Sequence, residues 1–177
     1  MKLLGEVVGH LVSEGIAHTL IGAAAMAIHG VSRSTADVDL LTVDDRVLLR
    51  STWAEFEARD LVRRVLKGDV DDPLAGSVRL ADASEIVDVV VGRYTWQKEI
   101  IDAAERYTLD DLTLPVAPPS SLVLLKLHAG GPKDAWDIRS LLEVSDEPGA
   151  LVAEVERMLP RLPPDARHLW LRLRDEQ

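Results

Sequence analysis

The sequence predicts an α+β fold, a mixed β-sheet with flanking helices and a carboxy-terminal helical tail. Three observations lead there. Apolar residues near the amino terminus recur at helical spacing, short β-type runs follow through the middle of the chain, and beyond Pro118 and Pro119 every segment again has helical character. The expected organisation is a core over residues 1–118 and a helical segment over 119–177 packed on it as one compact unit.

Each element has a local reason. Leu4, Val7, Val8, Leu11 and Val12 share one helical face and Gly15 follows, so residues 3–14 read as an amphipathic helix. His18 to Ile21 is a short strand-like run that meets Gly22 directly. AAAMAIH, residues 23–29, has high helix propensity and stops at Gly30. Asp44 or Asp45 is placed to cap a helix carrying Val47, Leu48, Trp53 and Phe56. LVRRVL and SVRLA read as strands around the loop KGDVDDPLAG, and EIVDVVVG as a further strand after the tight turn DAS. WQKEIIDAAERY reads as a helix and TLPVAPPS as an edge strand stopped by two prolines. Ser120 or Ser121 then caps LVLLKLHA. The break GGPK precedes the helix DAWDIRSLLE, and two helical segments around 151–159 and 166–173 close the chain.

Composition narrows the function classes. With 177 residues, 47% of them hydrophobic, the chain can bury a substantial core. Thirty acidic side chains against 20 basic ones give a net charge of −10, which opposes the many phosphate contacts of extended DNA or RNA binding. A small nucleotide is compatible with that charge, because one or two cations and a divalent metal suffice for its phosphates. Cysteine is absent and no apolar stretch is long enough to span a bilayer, so the expected compartment is the cytoplasm, with no membrane partner.

The stretch GVSRSTADVDLLTV, residues 30–43, carries the chemistry. On a strand, residues i and i+2 share a face, so Asp37 and Asp39 would project side by side about 7 Å apart. Two ionised carboxylates that close repel one another unless a cation joins them. The alternative is a strand end that turns one Asp outwards and pairs the other with Arg33. Asp88 stands in the run IVDVVV, where it either faces solvent on an edge strand or joins the first two in a three-carboxylate cluster. Mg²⁺, or Mn²⁺, takes hard oxygen ligands and needs only a few from the protein. Gly22, between a strand and a helix, would let backbone N–H groups approach a phosphate. Lys126, on a nearly all-apolar helix, either snorkels to the surface or offsets buried charge. Trp136 and Trp170 read as core residues.

The combination IGAAAMAIHGVSRSTADVDLL resembles the nucleotidyltransferase fold of polymerase-β-like enzymes, in which a Gly-Gly or Gly-Ser turn opens a helix and a D-x-D strand follows. More narrowly it is similar to the small bacterial nucleotidyltransferases of the AbiEii toxin type. There the approach to the acidic pair reads Arg-x-Ser/Thr-x-Asp-x-Asp, matched by Arg33, Thr35, Asp37 and Asp39. A second block matches Leu122, Lys126 and Ala129 on one helix, then Lys133, Asp134 and Asp137 on the next. The chain departs at Ala23, where a second Gly or a Ser is usual, and at Gly131, where Arg is usual.

The resemblance implies a Mg²⁺-dependent transfer of NMP from an NTP to a hydroxyl on a tRNA end, a protein or a small molecule. A toxin–antitoxin pair, with an antitoxin protein as partner, is one setting it implies. Asp37, Asp39 and Asp88 would be the catalytic and metal-binding carboxylates. Lys126 would neutralise the triphosphate, Gly22, Ala23, Arg33, Thr35 and Lys133 would bind the nucleotide, and Asp137 would orient Lys126 or Arg33. The substituted positions suit a second expectation, a domain that retains the fold and binds without turnover.

Overall fold

The computed structural model describes residues 2–32, 35–70, 72–109 and 111–175, and they form a mixed α and β structure. By internal contacts the chain divides into two compact units, one of Met1–Ala24 and Ser34–Ala117 and the other of Ala25–Arg33 and Pro118–Gln177.

The first unit is built on a sheet. Its strands are β1 (His18–Ile21), β2 (Asp37–Thr42), β3 (Val62–Lys67), β4 (Leu74–Ala81), β5 (Ile86–Gly92), β6 (Glu105–Leu109) and β7 (Leu112–Val116). They form a seven-stranded sheet in the order β3-β4-β5-β2-β1-β7-β6. β2 runs parallel to β5 and β1 parallel to β7, while the other neighbours are antiparallel. Parallel pairing requires a crossover connection, whereas the β3–β4, β4–β5 and β6–β7 pairs are joined by short turns, and this difference produces the mixed sheet.

Burial follows the strand period. Along β5, Val87, Val89 and Val91 are buried on one face, while Ile86, Asp88 and Val90 on the other are only half-buried. Asp88 therefore lies on an interior strand but on its less covered side. The edge-strand alternative fails, because β4 and β2 flank β5. The helix α1 (Lys2–Ser13) buries Leu3, Leu4, Val7, Val8 and Leu11. Burying a Leu or Val fully stabilises the fold by about 1.5–3 kcal/mol relative to leaving it exposed.

The chain leaves the first unit within α2 (Gly22–Ile28). Four expectations for the first unit are corrected. The helix expected after Asp44 is two 3₁₀ turns, Asp45–Leu48 and Arg50–Trp53, followed by the four-residue α3 (Ala54–Glu57). Side chains capture the carbonyls a continuous helix would use: the Thr52 hydroxyl donates to Arg46 O at 2.6 Å and Trp53 Nε1 to Val47 O at 2.8 Å. Asp44 does cap the first turn, accepting from Arg46 N. β4 begins at Leu74, which shortens the expected loop. The helix expected to run through Tyr107 stops early, since α4 is Thr95–Asp102 and ERYTL pairs with β7 instead. That added strand takes the sheet edge, so β7 lies between β1 and β6.

The second unit is helical beyond residue 118. It contains α5 (Pro119–Ala129), α6 (Pro132–Val144), α7 (Pro148–Met158) and α8 (Pro164–Asp175). α5 contacts the other three helices and buries Leu122, Val123, Leu124 and Leu127, as a helix apolar on every side must. The serines do not cap it. Pro118 is the N-cap and Pro119 occupies the first turn, where a missing N–H has no cost, while Gly130 ends the helix in the left-handed conformation. Trp170 is fully buried in α8, but Trp136 on α6 is 52% exposed and is no core residue.

Candidate functional site

The sheet register fixes where the carboxylates stand. β1 and β2 pair Ile21 with Asp39, β2 and β5 pair Asp39 with Asp88, and β5 and β4 pair Asp88 with Arg79. Residues opposite one another in a ladder project to the same face, so Arg79, Asp88 and Asp39 form a row across three neighbouring strands. Asp37 lies two residues before Asp39 on the same face of β2, opposite Ile86.

Gly22 lies at the end of this row. Its φ of +67° is in the left-handed region, and a Cβ added there would be 2.2 Å from Asp39 Oδ2 and 3.0 Å from its Cγ. The Asp39 carboxylate therefore packs directly on the glycine Cα. A side chain at residue 22 would be strained by the backbone and blocked by that carboxylate. Ala23, which begins the buried face of α2, is 3% exposed.

Asp37 is oriented from the preceding loop. The Thr35 hydroxyl lies 2.8 Å from Asp37 Oδ1 and 3.0 Å from Asp37 O. Thr35 thus acts on a carboxylate, in addition to the nucleotide contact expected of it. Arg33 lies outside the described residues.

Arg79 was not anticipated. Its Nε donates to Asp88 Oδ1 at 2.8 Å and its Nη2 to Asp88 Oδ2 at 2.5 Å, a two-pronged pairing that matches the planar fork to the carboxylate. The same Nη2 lies 3.4 Å from Asp37 Oδ2. Hydrogen bonding to Asp88, and then the charges of Asp88, Asp37 and Asp39, raise the guanidinium above its usual value, so Arg79 is a permanent cation. A sequence signal existed: the DAS turn places Ala81 opposite Ile86, and counting two residues along each strand brings Arg79 opposite Asp88.

The second unit carries the other expected residues. Lys126 Nζ lies 3.0 Å from Asp134 Oδ1 and 2.6 Å from Asp137 Oδ2, and Asp137 is completely buried. Burial alone would lower the ammonium, but the hydrogen bonds to Asp137 and Asp134 outweigh it and hold Lys126 above its ordinary value. Asp134 also accepts from Gly131 N at 2.9 Å, tying down the start of α6. A Cβ at Gly131 would sit 3.0 Å from the same carboxylate oxygen, so a larger residue there would press on Asp134. Lys133 is exposed in the first turn of α6.

The donor chemistry of Asp37 and Asp39 fits Mg²⁺ or Mn²⁺, which need only one or two carboxylates when phosphate oxygens and water supply the rest. Asp88 is engaged by Arg79, and among the described residues no group of three or more His, Asp or Glu side chains is arranged to hold a metal.

No protein-family model matches the chain, and no curated protein matches it in sequence. Solved structures do match. A proposed nucleotidyltransferase from Thermotoga maritima superposes with a TM-score of 0.57 at 14% identity, over 81% of this chain and 92% of that one. The antibiotic-resistance factor ANT(2'')-Ia, solved with adenylyl-2''-tobramycin, gives 0.57 at 14% identity over 90% and 97%. The lincosamide antibiotic adenylyltransferase LnuA, bound to lincomycin, gives 0.53 at 13% identity over 81% and 97%. The fold is thus a nucleotidyltransferase-like one, with its acidic row on the half-covered face of the sheet.

Proposed function

We propose that the chain is a Mg²⁺- or Mn²⁺-dependent nucleotidyltransferase that moves NMP from an NTP to a hydroxyl acceptor. The observation that carries this reading is the placement of Asp37 and Asp39 on one face of β2, with Asp39 seated on the Gly22 turn. A divalent ion held by Asp37 and Asp39 would neutralise the triphosphate as a Lewis acid. Thr35 keeps Asp37 oriented, and the bare Cα of Gly22 lets the Asp39 carboxylate seat against the turn. The acceptor oxygen attacks the α-phosphorus and forms a new P–O bond. The bond to the bridging oxygen breaks and pyrophosphate leaves with the electron pair. In this reading Asp88 takes the hydroxyl proton once the Arg79 fork releases it, and the rate comes from positioning and electrostatics.

Among acceptors, a small molecule is favoured. The net charge of −10 disfavours a long RNA contact. The neighbours solved with adenylyl-2''-tobramycin and lincomycin have small molecules in place. An AbiEii-like role as the toxin of a toxin–antitoxin pair would instead require transfer to a tRNA end or a protein. The Arg79 fork on Asp88 favours one other reading, a domain that binds nucleotide without turnover.

The test is incubation with each α-labelled NTP, Mg²⁺ and a cytoplasmic extract fractionated into RNA, protein and small molecules. Label should enter the small-molecule fraction, and Asp39→Ala should abolish it. NTP binding without any transfer would overturn the enzymatic reading in favour of the binding one.

A further inference from the structure

Asp88 is 14% exposed and both of its oxygens are engaged by one guanidinium. The arginine is itself fixed in place by its strand, since Arg79 stands opposite Asp88 in the β4–β5 ladder and the pairing continues on either side, Val78 with Val89 and Leu80 with Val87. Its third contact, to Asp37, bridges to the D-x-D strand. Arg79 therefore touches both Asp88 and Asp37.

We propose that Arg79 is a built-in counter-ion that competes with a divalent cation for the acidic row. It holds both oxygens of Asp88 in the free protein and reaches Asp37 only through one nitrogen at 3.4 Å, so a divalent ion meets more competition at Asp88 than at Asp37. The inference rests on the proposed metal role of Asp37 and Asp39 and goes beyond it by assigning Arg79 a positioning role. The physical basis is charge. Three carboxylates on adjacent strand positions repel one another, and a guanidinium fixed between two of them relieves that repulsion without any ligand. An ion seeking Asp88 must displace a two-pronged, charge-assisted pair. Removing Arg79 should leave the row less stable when empty and more avid for a divalent cation.

The experiment measures Mn²⁺ binding by titration calorimetry and by electron paramagnetic resonance on the full chain without nucleotide, together with melting curves in EDTA and in Mg²⁺. Arg79→Met keeps an unbranched stem and removes the charge and the fork. It should bind Mn²⁺ more tightly than wild type, by up to about fivefold, the competition expected of one partly exposed ion pair. It should also melt lower in EDTA and recover more on addition of Mg²⁺ than wild type does. Asp88→Asn should change Mn²⁺ affinity less in the wild-type background than in Arg79→Met, because only in the latter is that carboxylate available to the ion. Arg79→Lys keeps a folded, charged side chain but loses the fork, and should fall between wild type and Arg79→Met. Equal or weaker Mn²⁺ binding in both Arg79 variants overturns the inference while leaving Asp37 and Asp39 as metal ligands. Absence of Mn²⁺ binding in every variant overturns that metal role and the inference with it.

Discussion

Replacing Gly22 by Ala tests the geometry at the end of the acidic row. Two costs follow. A φ of +67° places an L side chain in the left-handed region, at about 1–2 kcal/mol. The new Cβ would also lie 2.2 Å from Asp39 Oδ2, so the carboxylate must rotate away, at about 0.5–1.5 kcal/mol for an off-rotamer side chain. Ala restricts the unfolded chain more than Gly does, which returns about 0.4–1 kcal/mol. The net loss is about 2 kcal/mol, or about 4–8 °C in melting temperature for a chain of this size. Melting followed by circular dichroism in EDTA reads this without any contribution from bound metal. Gly9→Ala is the internal control: it lies in α1, nothing is within 4 Å of the added Cβ, and it should raise stability by about 0.5–1 kcal/mol. If Gly22→Ala melts at or above wild type while Gly9→Ala behaves as expected, Asp39 does not pack on that glycine and the site geometry is wrong.

Two further outcomes are expected. Asp137→Ala leaves the Lys126 ammonium with Asp134 alone in a buried setting and should cost about 2–4 kcal/mol, seen as a lower urea midpoint at unchanged slope; an unaltered midpoint would show that the pair contributes nothing. His18 in β1 is held below its usual value by burial, partly opposed by its bond to the Ile16 carbonyl, and His128 is lowered by burial as well. The unfolded chain therefore binds protons that the folded chain refuses. The stability from neutral histidine is complete above an unfolded value of about 6.5 and is lost as pH falls through the folded values. Melting temperature should fall between pH 7.5 and 5.5, with a shallower slope in His18→Gln; an identical slope would rule out His18 as a source of the dependence.

The fold was legible where one local signal decided the outcome. β1, α2 and β2 follow from a four-residue β-run, an alanine-rich segment and glycines at both ends, and α5 from a helix apolar on every side. The sequence misled where side chains compete with the backbone, as with Thr52 and Trp53, which break up the helix after Asp44. It misled again where tertiary pairing overrides propensity: Glu105 to Leu109 could continue a helix but finds β7 as a partner. Of the site, Asp37, Asp39 and Gly22 were readable because spacing along one strand and one turn carries the information. Arg79 was missed because its relation to Asp88 exists only across a hairpin. Trp136 was misjudged because its size and apolarity do not fix its face, and α6 buries Asp137, Ile138, Leu141 and Leu142 instead.

An open sheet always leaves two rows of backbone groups able to recruit another strand, and on this molecule one of those borders is β3. Its outward side chains include Arg63, Arg64 and Lys67, all exposed, on a chain that is otherwise rich in acid. A second copy adding its own β3 along that border would bring like cations into close opposition, which disfavours self-association through the sheet.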